Sequence, residues 1–443
     1  LNSNGDPTAS SDSPFDDPNG FVFGDAGDQN VIKCGSYVGQ SGANKLNLGW
    51  EPQWIMVKNI NAAENWIMMD NMRGWVNQSN GAESLRAGSS GSESAYGPWG
   101  PTSTGWELDL NAREIDQNDE RYIYVAIRRA DGYVGKPPSL GTGVFSVVAG
   151  RGSPNPTLLT NFVTDFGFFK NSTATESWFG SARLMQGYFL RMNKTGDGAA
   201  AKASTSARNF DYNDGWANGS LTGYQGWSWK RHAGLDVVTY VGNQTSGHNI
   251  AHSSGQTPEM IWTKNIDQIQ QWSVGHKDLN GGTNPWGYYL ALSPSPNEQE
   301  DSSSNFWEAP TATHFTVGSD ARVNRNNDNY LAVLFSSVNG ISKVGSYTGS
   351  SSALTITTGF QPRFIIIKNA SSNSYDSSTD WFVFDTTRGW ASGNNDKLLR
   401  LNKQDAQTTE DWTNPTSTGF TINADSGNDL NNNGDRYIYY CHA

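Results

Sequence analysis

Two carboxylates on one predicted strand are the first candidates for catalysis. Side chains alternate along a strand, so Glu107 and Asp109 fall on one face. Glycoside hydrolysis needs such a pair, one as acid and the other as base or nucleophile. The next acid, Glu114, lies two residues too far along for the Glu-x-Asp-x-x-Glu pattern of jelly-roll glycosidases, and repeat 4, defined below, has Thr421 and Asn423 instead. We therefore expect a solvated strand face, and a glycan-degrading enzyme is a remote alternative.

Other catalytic patterns are missing from the sequence. It contains no Gly-x-Ser-x-Gly nucleophile elbow and no glycine-rich phosphate loop. His248 and His252 are four residues apart, but their Gly/Ser-rich segment has no helical periodicity that would bring them together. The sequence therefore predicts a protein that is not an enzyme.

Loops rich in Asn and Asp precede the predicted closing strands, and they raise the question of calcium binding. The candidate ligands are Asp116, Asn118 and Glu120 in the first loop and Asp429, Asn431, Asn433 and Asp435 in the last. Alternate oxygen ligands followed by Gly are typical of the start of a calcium loop. However, Tyr440 stands where a bidentate Glu is needed, and the same residues also favour tight turns. Turn and cation site both stay open, and Ca²⁺ is the one cofactor suggested.

Four tryptophans in or beside Gly/Ser/Asn-rich loops are candidate ligand-binding residues: Trp75, Trp99, Trp390 and Trp412. An exposed indole can stack on a sugar ring or anchor a protein interface. Alternatively, these rings close the ends of their own domains.

The composition predicts many short strands joined by tight loops. Charged residues make up only 17% of the 443 residues, whereas there are 48 Gly and 12% aromatics. The net charge of −12, without a clustered basic face, argues against a nucleic-acid partner. No apolar run approaches the ~18 residues of a membrane helix. Cys34 and Cys441 are expected to be free, buried thiols.

Self-comparison divides the chain into repeats. KCGSYVG at 33–39 matches KVGSYTG at 343–349, and GWEPQWIMVKN at 49–59 matches GFQPRFIIIKN at 359–369. Three further blocks follow in the same order, including Trp-x-x-x-Asp-x-x-Arg-Gly. Two more diverged copies lie between these, so Lys-Asn pairs begin at Lys58, Lys170, Lys264 and Lys368. A period near ~100 residues suits one β-sandwich.

The repeated blocks predict an all-β fold of four tandem jelly-roll or concanavalin-like β-sandwich repeats after an extended N-terminal arm. Phe364–Lys368 is expected to be a strand buried on both faces, and Trp381–Asp385 a second strand. Asp385 and Arg388 are expected to pair in the following turn, where Gly389 supplies a positive φ. The predicted boundaries are an acidic arm at 1–30, repeat 1 at 31–131, repeat 2 (the most diverged) at 132–238, repeat 3 at 239–339 and repeat 4 at 340–443.

The repeated pattern resembles a module of tailed-phage virion proteins, especially those of marine and cyanobacterial phages. The matching elements are Tyr-x-Gly, Gly-Phe-x-Pro-x-x-Ile-x-x-Lys, Trp-x-x-x-Asp-x-x-Arg-Gly, Thr-Gly-Phe and Arg-Tyr, and they cover nearly the whole chain after residue 30. Repeat 2 departs most, with Gly167 in place of a branched core residue. The resemblance implies lectin-like sandwiches on a virion surface and identifies no ligand.

From these observations we expect a virion structural protein at the particle surface or outside the cell, as a tail fibre, receptor-binding or capsid-decorating component. The expected partners are other virion proteins, further copies of the chain (a trimer is plausible from virion symmetry) and a host-surface glycan, with no membrane insertion. The acidic arm would dock the protein on the particle. A secreted carbohydrate-binding or adhesive protein of cellular origin is the main alternative.

Overall fold

Antiparallel strands dominate the computed structural model, with 44% of residues in strands and 6% in helices. The prediction of an all-β fold is confirmed. The structure describes residues 31–42, 44–75, 83–95, 99–108, 112–129, 140–185, 187–196, 201–205, 207–231, 233–293, 297–301, 306–371, 379–393, 396–424 and 427–443. The predicted N-terminal arm at 1–30 lies outside these residues.

One six-stranded antiparallel sheet recurs in four consecutive segments with the same strand order: first, last, third, fourth, fifth and sixth strand of the segment. In repeat 1 these strands are Ile32–Val38, Arg121–Arg128, Pro52–Asn59, Ile67–Asp70, Glu83–Arg86 and Ser94–Ala95. In repeat 2 they are Phe145–Ala149, Tyr224–Trp229, Phe166–Asn171, Phe179–Ala182, Tyr188–Arg191 and Ala203–Ser204. In repeat 3 they are Leu235–Val241, Asn329–Phe335, Met260–Asn265, Ser273–His276, Tyr288–Ala291 and Gln299–Glu300. In repeat 4 they are Ser342–Thr348, Arg436–His442, Phe364–Asn369, Trp381–Asp385, Asp396–Arg400 and Thr408–Glu410.

A smaller sheet accompanies each six-stranded sheet. It has three strands in repeats 1, 3 and 4 and two in repeat 2. Its strands, in spatial order, are Asn44–Asn47, Gly105–Leu108 and Trp99–Thr102; Leu158–Leu159 and Gly215–Trp216; His248–Ala251, His314–Val317 and Trp307–Glu308; and Leu354–Thr357, Gly419–Ile422 and Thr413–Thr416. Among the described residues the helices are single turns, at Asn71–Arg73, Gly141–Gly143, Arg183–Met185, Leu279–Gly282, Pro285–Gly287 and Ala321–Asn324. Assignment of the four segments to the jelly-roll or concanavalin class stays a prediction.

The strand that carries the Lys-Asn pair lies inside its sheet in all four segments. In repeat 4 this strand, Phe364–Asn369, pairs with Arg436–His442 on one side and Trp381–Asp385 on the other, and all six of its residues are buried. Both predicted strands are therefore confirmed. Arg388 Nε lies 2.5 Å from Asp385 Oδ2, and Gly389 has a φ of 110°, as expected for the turn.

The chain forms two compact units, residues 1–137 and 138–443. In the N-terminal unit, one face of the six-stranded sheet packs against the smaller sheet. Ile55, Val57 and Tyr124 meet Trp106 and Leu108 in this core, and all five are at most 8% exposed.

The C-terminal unit contains three six-stranded sheets that share one core. Their faces turned away from the smaller sheets contribute to a single hydrophobic cluster. Ring contacts cross between repeats: the centroid of Phe364 lies 5.1 Å from that of Phe145, and Phe335 lies 4.8 Å from Tyr440. Each sheet in this unit is therefore covered on both faces, which explains the continuously apolar central strands.

Three buried tryptophans join the sheets of the C-terminal unit in a ring. Each occupies the same position of its repeat, and each indole Nε1 donates to a backbone carbonyl of another repeat. Trp178 donates to Arg400 (2.9 Å), Trp272 to Arg191 (3.0 Å) and Trp381 to Ala291 (2.8 Å). Repeat 2 thus contacts repeat 4, repeat 4 contacts repeat 3, and repeat 3 contacts repeat 2. The arrangement is a closed ring of three.

The lysines of the Lys-Asn pairs are fully buried in the same unit. Lys170 Nζ donates to the carbonyl of Gln404 in repeat 4 (2.8 Å), and Lys264 Nζ to that of Thr195 in repeat 2 (2.5 Å). Lys368 Nζ donates to Thr379 O (2.6 Å). Burial lowers the pKa of Lys170 to about 8 and those of Lys264 and Lys368 to about 7, because the charged ammonium loses its hydration.

Two departures from the predicted organisation have simple causes. Strand Leu235–Val241 pairs along its whole length with Asn329–Phe335, so the third sheet begins before the predicted boundary at 239. In repeat 2, a Cβ on Gly167 would lie 2.5 Å from the Trp216 ring, so glycine makes room for a larger neighbour in that core. Repeat 2 therefore keeps the strand order although its core residues differ.

The buried lysines predict that the C-terminal unit is more stable at mildly alkaline pH. The unfolded chain binds more protons than the folded chain between pH ~7 and ~10.4, the ordinary lysine pKa, so the free energy of unfolding rises with pH in that window. We expect a rise of about 2–3 kcal/mol from pH 7 to 8.5, measured by urea unfolding followed by tryptophan fluorescence. From about pH 8.5, the ordinary thiol pKa, Cys441 acts in the opposite sense, because burial raises its pKa.

A Lys264→Met, Lys368→Met double variant is expected to lose most of this rise, because neither side chain then titrates. The matched control is Lys194→Met, at an exposed position. An unchanged pH slope in the double variant would contradict this explanation.

Candidate functional site

The Asn/Asp loops before the closing strands are held by internal hydrogen bonds. In repeat 1, Asp116 is fully buried and its carboxylate accepts from Gln40 N (2.9 Å), Gly42 N (3.2 Å) and Asn44 Nδ2 (3.0 Å). In repeat 4, Asn431 takes the same place and accepts from Ser350 N (2.9 Å). Asn324 does so in repeat 3, accepting from Asn243 N (2.8 Å). A buried Asp or Asn therefore fixes the turn between the first two strands.

The other carboxylates of these loops are also engaged. Glu120 pairs with Arg113 (2.9 Å), which lowers the pKa of Glu120, and it accepts from Asn59 of the Lys-Asn block. In repeat 4, Asp435 accepts from Asn369 Nδ2 at 2.7 Å. In repeats 1, 3 and 4 the asparagine of the Lys-Asn pair thus ties its strand to the closing loop.

A stacked tyrosine pair completes the same corner. Tyr37 stacks on Tyr122, Tyr240 on Tyr330 and Tyr347 on Tyr437, each with ring centroids 4.9 Å apart. The hydroxyl of the first ring donates to a backbone carbonyl of the loop, for example Tyr347 to Leu430 O at 2.9 Å. Because burial removes water from these hydroxyls, it raises the pKa of Tyr122 to about 12.

The remaining calcium candidates do not converge on one point. Asn118 and Asn433 are exposed, and Asn118 Nδ2 donates to the adjacent Asp119. The backbone carbonyl of Asp429 accepts from Tyr437 Oη (3.1 Å). No group of three or more His, Cys, Asp or Glu side chains suited to a metal occurs among the described residues. The turn interpretation explains the observed contacts, and calcium binding stays a prediction.

Two of the four candidate tryptophans are core residues. Trp75 is 0% and Trp390 1% exposed, and Trp390 Nε1 donates to Thr413 O (3.0 Å). Neither ring can stack on a sugar, which corrects the ligand-binding expectation for both: they close the ends of their own cores. Trp412 is half-buried against Phe382, with ring centroids 5.5 Å apart. Trp99 begins strand Trp99–Thr102, but its side chain lies outside the described part of the chain.

The possible catalytic groups are dispersed. Glu107 lies 3.7 Å from Lys45 in an ion pair, whereas Asp109 falls outside the described residues. His248 Nδ1 contacts Asn324 Oδ1 (3.2 Å), and His252 lies between Ser254 and the Thr311 carbonyl. The described members of this set, Glu107, His248 and His252, take part in local structure.

An open cleft of about 380 Å³ lies on repeat 3. The lining includes the largely buried Trp286, and its charged groups are Glu259 and Lys277, which pair at 2.6 Å. Glu259 also accepts from Ser337 N (2.8 Å). The cleft combines an aromatic residue with polar groups, which suits a small polar ligand such as a sugar.

An exposed apolar sheet face in repeat 1 was missed by the sequence reasoning. Ile32 is 55%, Ile123 37% and Ile127 39% exposed, and all three lie on paired strands with their side chains on one face. Cys34 lies on the same face and is exposed, so the expectation of a buried thiol is wrong for Cys34 and confirmed for Cys441. The strand Arg121–Arg128 has apolar residues at every position between its terminal arginines, and therefore on both faces. This continuous apolar run is the sequence signal that could have revealed the second apolar face.

The internal contacts of the closing loops generate a prediction. Asn431→Ala removes one acceptor and two donors from a fully buried site, since Asn431 Nδ2 also donates to Ser352 O and Asn423 O. We expect the free energy of unfolding to fall by about 2–3 kcal/mol. The control is Asn433→Ala in the same loop, where the exposed side chain should leave stability within ~0.5 kcal/mol. If the loop bound calcium instead, Asn433→Ala would be equally damaging and added Ca²⁺ would raise the unfolding midpoint of the wild type.

In the described residues no helix has the length and apolar character needed to cross a membrane.

No curated protein matches the chain at a significant level. A domain of unknown function (DUF7483) matches residues 23–130 and 145–443, which include all the sheets described above. The chain belongs to the DUF7483 family.

Proposed function

We propose that this chain is a non-enzymatic structural protein of a tailed-phage virion surface, which contributes to particle assembly and to adhesion to the host. The observation that carries the proposal is the closed ring of three sheets around one core in the C-terminal unit. Recurring polar residues of this unit, such as Lys170, Lys264 and Asn431, hold that ring or its corners together. Such a body suits a surface scaffold better than an enzyme, whose site needs free reactive groups.

The repeated sequence pattern supports a virion setting. Its Tyr-x-Gly, Lys-Asn and Asp-x-x-Arg-Gly elements resemble modules of tailed-phage surface proteins, where lectin-like sandwiches occur in tandem. In this chain the same elements form the stacked tyrosines, the central strand and the turn after the fourth strand. The resemblance therefore concerns residues that determine the architecture, and it supports a shared fold and setting.

Adhesion would use the surfaces that the core leaves open. The cleft beside Trp286, with the Glu259–Lys277 pair, is the first place to look for a glycan contact. Several weak contacts of this kind, presented on one rigid body, raise avidity without a tight single site. A tail fibre, a receptor-binding component and a capsid decoration are all compatible with this use.

The proposal predicts that the polypeptide is part of the particle. Gradient-purified, salt-washed particles from the phage that encodes it should contain the chain in mass spectrometry, and antibodies against it should label the capsid or the tail in electron microscopy. Recovery of the chain only in the particle-free supernatant would contradict the proposal and favour a secreted adhesive protein. Glycan turnover that is lost in Glu107→Gln would instead favour an enzyme.

A further inference from the structure

The exposed sheet face of repeat 1 corresponds, position by position, to the faces that form the shared core of repeats 2, 3 and 4. The registers make the comparison direct, because in every repeat the first strand pairs with the last strand, the last with the third and the third with the fourth. The central row across the sheet of repeat 1 is Cys34, Val125, Met56 and Met68. The same row is Val147, Trp227, Phe168 and Gly180 in repeat 2, Val237, Val333, Trp262 and Val274 in repeat 3, and Val344, Tyr440, Ile366 and Val383 in repeat 4.

The burial of this row differs sharply between the two compact units. In repeats 3 and 4 all members are at most 2% exposed, because each sheet lies against two others. In repeat 1, Cys34 is exposed and Val125, Met56 and Met68 are only partly buried. The flanking isoleucines 32, 123 and 127 add to the same exposed area. A contiguous apolar area of this kind marks an interaction surface.

The polar groups that close the ring also have counterparts in repeat 1. Trp66 occupies the position of Trp178, Trp272 and Trp381, but it is only partly buried. Arg86 pairs with Ile67, which is the position at which Arg400 pairs with Phe382 in repeat 4. The carbonyl of Arg400 accepts the hydrogen bond from the Trp178 indole of repeat 2. Lys58 stands where the buried lysines stand, and it too is only partly buried.

We infer that the sheet of repeat 1 binds the same sheet of two further chains, so that three copies form a homotrimer with the geometry of the ring in the C-terminal unit. The other three repeats indicate which partner covers this face. In each of them the corresponding face packs against two further sheets of the same kind. In the trimer, Trp66 Nε1 donates to the Arg86 carbonyl of the neighbouring chain. Lys58 faces the neighbour's exposed Ser90, which is four residues after Arg86, as Thr195 and Gln404 are four after Arg191 and Arg400.

A cyclic contact between identical chains closes at three only if each copy offers both halves of the interface. Repeat 1 carries both halves, the donor Trp66 and the acceptor strand Glu83–Arg86. The inference rests on the sheets alone and not on the proposed virion function. A failure of either therefore leaves the other standing.

The test is the mass of the full chain in solution, by sedimentation velocity and light scattering. The wild type is expected at three times 48.3 kDa. Ile127→Asp places a charge on the exposed apolar face, next to the central row, and should give a single chain. The control is Ile269→Asp, the same change at an isoleucine of similar exposure (46%) in the C-terminal unit, which should stay trimeric.

Two further measurements keep the result interpretable. Circular dichroism establishes that Ile127→Asp is folded, and Cys34→Arg, on a different strand of the same face, should also give single chains. The Cys34 thiol should react slowly with a thiol reagent in the wild type and rapidly in Ile127→Asp. Trp66→Phe, which loses the indole donor, should weaken association at least about tenfold.

A wild type that sediments as a single chain at micromolar concentration would overturn the inference. A dimer would also overturn it, as would a trimer that persists in both Ile127→Asp and Cys34→Arg.

Discussion

A six-stranded sheet has two faces, and this fold depends on covering both. The smaller sheet covers one face in every repeat, which leaves the central strand with a second apolar side. Residues such as Phe364 and Ile366 on that side would lose their burial if a repeat of the C-terminal unit stood alone. The three sheets solve this by packing around one core, so the repeats of this unit depend on one another for stability. We therefore regard the three-sheet body, rather than the single repeat, as the folding unit of residues 138–443.

Much of the architecture was predictable because it rests on local patterns. The apolar run before Lys368 indicates a strand covered on both faces, and the structure shows it fully buried. The Asp385, Arg388 and Gly389 turn was equally readable, since a positive φ and an ion pair at this spacing are local properties. What covers the second face was not readable, because that depends on contacts between residues more than 100 positions apart, such as Trp227 Nε1 with Asp385 Oδ2 at 3.2 Å.

The candidate site was harder to predict, since one residue type serves different purposes in different surroundings. Trp390 sits beside glycines, which suggests an exposed ring, yet it fills the end of a core. Lys58 and Lys368 share the same motif, but only the second is fully buried, because its sheet packs against two others in the C-terminal unit. Asp116 and Asn431 show the same limit: oxygen-rich loops indicate either a cation or a turn, and the choice depends on donors about 80 residues away, such as Ser350 N for Asn431.

The ring of tryptophan contacts also limits how such a chain can grow. Each of Trp178, Trp272 and Trp381 finds its acceptor on the next sheet, and after three steps the sequence of contacts returns to its start. A duplicated module would bring its own donor and acceptor, but to enter that circle it would have to change the angle at which each sheet meets the next and break the shared core. Lengthening the gene by another copy must then begin a new assembly instead of enlarging the old one. Growth by threes is thus a property of the contact geometry, independent of what the protein binds.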